Sequence, residues 1–144
     1  MKKIIVLILF TSSFICYSQT INKTIKGIDL GNLTVNFRME VDSKSDTSYR
    51  LTYCWSNEKY SSIDDVQCQI HYTNSEIKDM IETLNKCKGY IGKDIDYNIS
   101  NVGFDFVVYH FDNKVRLSRE EKYVRLTKSQ IAKLTSFLSK VKFS

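Results

Sequence analysis

The chain has 144 residues, of which 42% are hydrophobic, and its 21 lysines and arginines against 16 aspartates and glutamates give a formal net charge of +5. This length suits one domain with a core of its own, and so mild a positive charge does not by itself indicate nucleic-acid binding. The chain has five glycines and no proline, and it contains no glycine-rich phosphate loop, serine nucleophile elbow or dinucleotide-binding fingerprint.

The first 18 residues have the form of a secretory signal peptide. Lys2 and Lys3 give a positive start, residues 4–10 are an unbroken apolar run, and residues 11–18 are more polar. The apolar zone is shorter than the ~20 residues that a membrane-spanning helix needs. We therefore expect export rather than a membrane anchor.

Cleavage of this signal is expected after Ser18, which leaves residues 19–144 as a single secreted or periplasmic α+β domain. Cys16 is an alternative processing site of the lipoprotein kind. Such a site needs an aliphatic residue three positions before the cysteine and a small one directly before it, whereas the chain has Ser13 and Ile15 there.

Alternation of apolar and polar residues predicts antiparallel strands in the first half of the chain. The clearest runs are residues 33–41, 49–55 and 66–72, with a weaker strand at residues 24–30 and a short returning strand at residues 60–63. Gly31 and Asn32 form a turn dipeptide typical of hairpins, and residues 42–48 are polar enough to be a loop.

The second half of the chain has the same character. Strands are predicted at residues 95–99, 104–111, 114–117 and 123–126, with turns at residues 112–113 and 118–121. The 104–111 run is apolar on both faces, so we expect it at the centre of its sheet.

Two amphipathic helices follow directly from strands, at residues 73–88 and 127–142. Thr73 and Glu76 have the spacing of a capping box, and Gly89 is expected to end the first helix in a left-handed conformation with Tyr90 as its apolar contact. The residues with helical spacing on the two apolar faces are Ile77, Met80, Ile81, Leu84 and Cys87, and Ile131, Leu134, Leu138 and Val141, with Phe137 at the margin.

The two helices also resemble each other in sequence. At a shift of 54 residues, Thr, Ser, Ile, Leu and Lys coincide. We interpret the chain as two pseudo-symmetric strands-then-helix repeats, about residues 24–90 and 91–144. The predicted fold is a two-layer α+β domain, a curved antiparallel sheet with both helices on one face.

Positive charge is concentrated near the C-terminus, where residues 114–144 contain nine lysines and arginines and two glutamates. On alternation, Lys114, Arg116, Tyr123 and Arg125 share the open face of one strand pair. Cations beside an aromatic ring could hold an anionic partner, such as an acidic protein, a nucleic acid or a polysaccharide. The alternative is an ordinary solvated sheet face.

Three cysteines remain after signal cleavage, so at most one internal disulfide can form. Cys68 and Cys87 face the same predicted layer and could bridge if the first helix folds back over its strand. A structure with no disulfide is the alternative. Cys54 is expected two strand spacings from Cys68, about 9.5 Å away and beyond the limit for a bridge.

Neither histidine has a second ligand at a spacing typical of zinc, and we expect no metal or other cofactor. The sequence favours a small exported binding module over an enzyme. The alternative is an exported enzyme with His71 or His110 beside a carboxylate, in a cleft between the two repeats.

Overall fold

The computed structural model describes residues 21–41, 47–56, 58 and 65–142. The predicted signal peptide and the short strand expected at residues 60–63 lie outside these ranges. The described elements are β1 (Ile21–Asp29), β2 (Leu33–Val41), β3 (Thr47–Ser56), β4 (Asp65–Ile70), α1 (Asn74–Tyr90), β5 (Tyr97–Asn101), β6 (Phe104–Val108), β7 (Lys114–Arg119), β8 (Lys122–Thr127) and α2 (Lys128–Leu138).

The strands form two four-stranded antiparallel sheets, ordered β1-β2-β3-β4 and β5-β6-β7-β8. The α+β class is therefore confirmed, whereas the expected single curved sheet is replaced in the described residues by two. Each sheet is a meander of strands that are neighbours in sequence, which short turns can connect.

In the first sheet, β3 pairs directly with β4, with Cys54 opposite Gln67 and Tyr53 opposite Cys68. No strand can therefore lie between β3 and β4, which corrects the position expected for residues 60–63. Cys54 and Cys68 lie on adjacent strands rather than two spacings apart. They still cannot bridge without backbone movement, because successive side chains of a strand point to opposite faces.

The two sheets contribute to one core. Strand alternation buries Leu33, Val35 and Phe37 of β2 on the same face as their cross-strand partners Trp55, Tyr53 and Leu51. Phe104 of β6 lies between the two sheets, its ring centroid 5.0 Å from that of Tyr53 and 6.3 Å from that of Trp55. These edge-on and tilted contacts are geometries that aromatic rings prefer, so they help to join the sheets.

Both helices begin as predicted. Thr73 and Thr127 are the N-caps, and each forms a complete capping box, with Glu76 and Gln130 respectively. The residues expected on the apolar faces are buried, including Phe137 at 9% exposure, except Ile81, which is only half-buried. The predicted end of the first helix was wrong: α1 continues through Gly89 to Tyr90, and the left-handed glycine is Gly92, with φ of 82°.

The helices pack in different places. α1 lies against β5, β6 and β7, the sheet that follows it in the chain, while α2 contacts β8 and α1. This arrangement leaves the outer face of β7 and β8 uncovered by either helix. No helix in the described residues is both long and apolar enough to span a membrane.

The strand predicted over residues 104–111 is shorter than expected. β6 ends at Val108, because Tyr109 begins a turn in which its carbonyl accepts a hydrogen bond from the amide of Asp112, 2.9 Å away. Phe111 is consequently 76% exposed. Within β6 only one face is fully apolar, since Asp105 is exposed, although the strand is central in its sheet as predicted.

Candidate functional site

The four residues predicted to bind an anion lie on β7 and β8. We call Lys114, Arg116, Tyr123 and Arg125 the basic face. Arg116 pairs directly across the strands with Arg125, and Ser118 pairs with Tyr123. The intervening residues Val115, Leu117, Val124 and Leu126 are fully buried, so the basic face points away from the core and rests on a tightly packed layer.

Two arginines directly opposite each other on a sheet repel, and the structure relieves this repulsion by drawing them to different partners. The guanidinium of Arg116 lies over the ring of Tyr123, 3.9 Å from its centroid. This is the geometry of a cation–π contact. Arg116 Nε is buried with no hydrogen-bond partner in the described part of the chain, so the ring contact fixes the side chain.

Arg125 points instead to two carboxylates. Its Nε lies 2.5 Å from Glu58 Oε2, its Nη1 lies 3.8 Å from Asp112 Oδ2, and its backbone N–H donates to Glu58 Oε1 at 2.9 Å. Partial burial raises the pKa of Glu58, but the hydrogen bonds from Arg125 outweigh it and hold the pKa below its ordinary value. The hydrogen bond and charge of Glu58 raise the pKa of Arg125.

Glu58 also connects the first half of the chain to the second sheet. Its backbone N–H donates to the Tyr123 carbonyl at 3.1 Å, so it forms both backbone and side-chain bonds along the outer edge of β8. Asn32, in the β1–β2 turn, donates from Nδ2 to the Arg125 carbonyl at 2.7 Å. Residues of two turns therefore form hydrogen bonds with the backbone groups at this edge of β8.

The basic face therefore has two parts with different roles. Arg125 is a structural link between the two halves of the chain and is substantially neutralised. The Arg116 guanidinium and the Tyr123 ring contact each other, and the charge of Lys114 also lowers the pKa of Glu58. The sequence could not show this division, because nothing in the spacing of Glu58 and Arg125, 67 residues apart, indicates that they meet.

The histidines have different surroundings. His71 is exposed between β4 and α1. His110 Nδ1 lies 2.8 Å from Asp96 Oδ1, which also accepts the His110 backbone N–H at 2.7 Å. These two bonds lower the pKa of Asp96. The side chains are 49% and 55% exposed, so the pair is at the surface of a turn.

The three cysteines within the described residues form no disulfide. Cys54, Cys68 and Cys87 are all free thiols, and the bridge considered between Cys68 and Cys87 is absent from the structure. The bridge requires α1 to fold back over β4, whereas α1 packs on the second sheet. Burial raises the pKa of both Cys68 and Cys87 to about 11, so both thiols are protonated and weakly nucleophilic at neutral pH.

In the described residues, no three histidine, cysteine, aspartate or glutamate side chains cluster as metal ligands. Comparison of the chain with protein-family models, with curated proteins and with solved structures gave no match.

Proposed function

We propose that this protein is an exported interaction module that binds an acidic protein or another anionic macromolecule through the basic face. The observation that carries the proposal is the Arg116 guanidinium over the Tyr123 ring at 3.9 Å, on a strand pair whose opposite face is fully buried. A rigid aromatic–arginine pair presents charge and contact area together, as the anchors of protein interfaces do.

Lys114 adds a second positive charge on the same strand as Arg116, two residues away and therefore on the same face. Arg125 contributes mainly through the fold, because Glu58 and Asp112 already balance its charge. The binding surface is accordingly smaller than the four-residue basic face.

The test is capture of partners from periplasmic or extracellular extract at low and high ionic strength, with Arg116→Glu as the variant. Exposed charges are screened within ~10 Å at 0.1 M salt, so specific capture should fall at high salt and with the variant. Lys86→Glu, an exposed charge reversal on α1, is the control and should leave capture unchanged. Capture that is indifferent to both salt and Arg116→Glu excludes the proposal.

Export and duplication are parts of the same proposal. Lys2, Lys3 and the apolar run that follows support a signal peptide. The order of four strands and one helix, which occurs twice, supports descent from one duplicated unit. Two threonine-capped helices that each follow a strand closely support it further.

The second candidate is an exported enzyme that uses His110 with Asp96 as its acid–base pair. The 2.8 Å contact between His110 Nδ1 and Asp96 Oδ1 favours it, because a carboxylate so placed orients an imidazole. Asp96→Asn would then abolish turnover of the substrate and leave the capture of partners by the basic face unchanged. If hydrolysis of ester, peptide and glycoside probes is the same for this variant and the parent, the enzymatic role is excluded.

A further inference from the structure

The outer edge of β4 pairs with no other strand among the residues that the structure describes. Natural sheets protect such edges with proline, with lysine or with covering segments. β4 contains neither proline nor lysine. In contrast, Glu58 and Asn32 form hydrogen bonds along the outer edge of β8. Among the described residues, the edge of β8 is therefore covered, whereas the edge of β4 pairs with no strand.

A groove lies beside this edge. Its cavity of about 540 Å³ is lined on one side by residues 66–69 of β4 and on the other by Arg119, Glu120 and Lys122 at the β7–β8 turn. A second cavity of about 450 Å³ shares Arg119 and Glu120 and extends over residues 100–105. We call the first cavity the β4 groove. Arg119 lies where this groove meets the second cavity.

The lining of the β4 groove has a small excess of positive charge. Its walls contain two cations, Arg119 and Lys122, and one anion, Glu120. The closest approach of Arg119 Nε to Glu120 Oε1 is 3.9 Å, and the Glu120 side chain is 84% exposed, so this pair is weak and screened by solvent. Arg119 also forms a side-chain hydrogen bond with Cys68, whose thiol is kept protonated at neutral pH by burial, so this second neighbour of Arg119 is uncharged.

We propose that the β4 groove binds an extended acidic segment of a partner protein, which adds to β4 as a fifth strand and places a carboxylate on Arg119. Backbone hydrogen bonds to an exposed edge give such complexes their affinity, and side-chain pockets give them specificity. Arginine suits this role because its planar fork can hold a carboxylate through two parallel hydrogen bonds. The site does not include the basic face and does not depend on it.

The probe is a synthetic peptide of about six residues, the usual length of a strand, that alternates glutamate with threonine and is acetylated and amidated. Binding is measured by fluorescence anisotropy. Amide hydrogen exchange of β4 is measured with and without peptide. A peptide with proline at two alternate positions cannot pair as a strand, and a peptide with lysine for glutamate reverses the charge.

We expect the acidic peptide to bind and to slow amide exchange in β4, while the proline and lysine peptides bind at least ~10-fold more weakly. Arg119→Gln should weaken binding of the acidic peptide by about tenfold, because a charged hydrogen bond is lost. Lys122→Gln, a second variant, should weaken it less. The control Lys86→Gln, an exposed change on α1, should leave it unchanged, and Arg116→Gln reports separately on any binding of the peptide to the basic face.

Four results would overturn the proposal. One is no binding of the acidic peptide at about 1 mM. Another is equal binding of the proline peptide, and a third is unchanged exchange of the β4 amides. The fourth is weakening by Arg116→Gln but not by Arg119→Gln, which would move the site to the basic face. If the β4 groove does not bind the acidic peptide, the proposed salt-dependent binding of a partner through Arg116 is unaffected. The two proposals can therefore fail separately.

Discussion

Arg116 and Arg125 are opposite each other on neighbouring strands, yet their surroundings give them different tasks. Arg116 contacts a ring that belongs to its own hairpin. Arg125 contacts carboxylates from two other turns. A guanidinium that already satisfies two carboxylates has little charge left for a partner, whereas one over an aromatic ring remains available to an anion.

Replacing Arg125 by glutamine should therefore destabilise the protein more than replacing Arg116. We expect a loss of about 1–2 kcal/mol in the free energy of unfolding for Arg125→Gln, since it leaves Glu58 without its charged donor. Arg116→Gln should cost about 0.5–1 kcal/mol, the usual worth of a cation–π contact near a protein surface. Urea unfolding followed by circular dichroism measures both, and equal losses would contradict this division of roles.

The thiols provide a second residue-scale prediction. Cys87 is fully buried and Cys68 is half-buried, and the pKa of each is raised to about 11. Both should react slowly with a thiol reagent at neutral pH in the native protein and fully after unfolding without reductant. Mass mapping of the labelled peptides checks this. A Cys68–Cys87 peptide pair that stays unlabelled after unfolding would show that the disulfide does form.

At the scale of elements, the capping boxes of the two helices differ in what else they bind. Gln130 Oε1 accepts from the Thr127 amide at 2.9 Å, which is the box itself. Its Nε2 also donates to the Leu30 carbonyl at 2.7 Å and to Asn32 Oδ1 at 2.9 Å. Gln130 thus links the start of α2 to the β1–β2 turn by hydrogen bonds. Glu76, in the capping box of α1, cannot form such bonds because its carboxylate has no N–H group to donate.

The substitution Gln130→Glu tests how much these hydrogen bonds between α2 and the β1–β2 turn contribute to stability. The variant keeps the acceptor of the box and gains about 0.3–1 kcal/mol from a negative charge at a helix start. It loses two hydrogen bonds and places a carboxylate beside two carbonyl oxygens, at a cost of about 1–3 kcal/mol. We therefore expect a net loss of stability in thermal or urea unfolding. Glu76→Gln, the matched change in α1, removes only a favourable charge at a helix start and should cost less stability than Gln130→Glu. Equal effects of the two substitutions would exclude a stabilising link between Gln130 and the β1–β2 turn.

The elements show which features local sequence can specify. Alternation placed β2 within its observed bounds, and Thr73 with an acceptor three residues later located the start of α1, because these signals depend on neighbouring residues only. The end of α1 was misplaced because Gly89 is tolerated inside a helix that packs well, and Gly92 takes the left-handed position instead. The length of β6 was overestimated because Phe111 is apolar but exposed.

For the candidate site, the sequence predicted the orientation of the side chains but not their distant contacts. Alternation correctly placed the basic face opposite Val115, Leu117, Val124 and Leu126. It could not reveal that Glu58 neutralises Arg125, or that Arg119 lies beside the edge of β4. Those contacts join residues far apart in the chain, and they arise from the packing of two sheets rather than from any local period.

At the scale of the whole molecule, the two sheets are joined by a buried aromatic contact through Phe104 and by polar contacts at the edge of β8. Among the polar contacts, Glu58 supplies the backbone N–H to Tyr123 and both carboxylate oxygens to Arg125. This makes the attachment of the first half of the chain to the second sheet sensitive to the charge of one carboxylate.

Stability should consequently fall in mild acid through Glu58. Its pKa is lowered in the folded protein, so the unfolded chain takes up a proton more readily than the folded one. The stabilisation is complete above the ordinary glutamate pKa of ~4.3 and is lost as the pH falls through the lower folded value. Glu58→Gln should destabilise the protein by about 1–2 kcal/mol at pH 7, and this difference should disappear in acid.

Urea unfolding of the parent and of Glu58→Gln at neutral and acidic pH measures that difference. Glu82→Gln, an exposed change on α1, is the control and should behave as the parent at both pH values. The variant should also lose protection of the β8 amides in hydrogen exchange before it loses protection of the β6 amides, because β6 is held by its neighbours β5 and β7. If the deficit of Glu58→Gln is the same at both pH values, ionisation of Glu58 does not hold the sheets together, and their association rests on the other contacts, among them those of Phe104, Asn32 and Gln130.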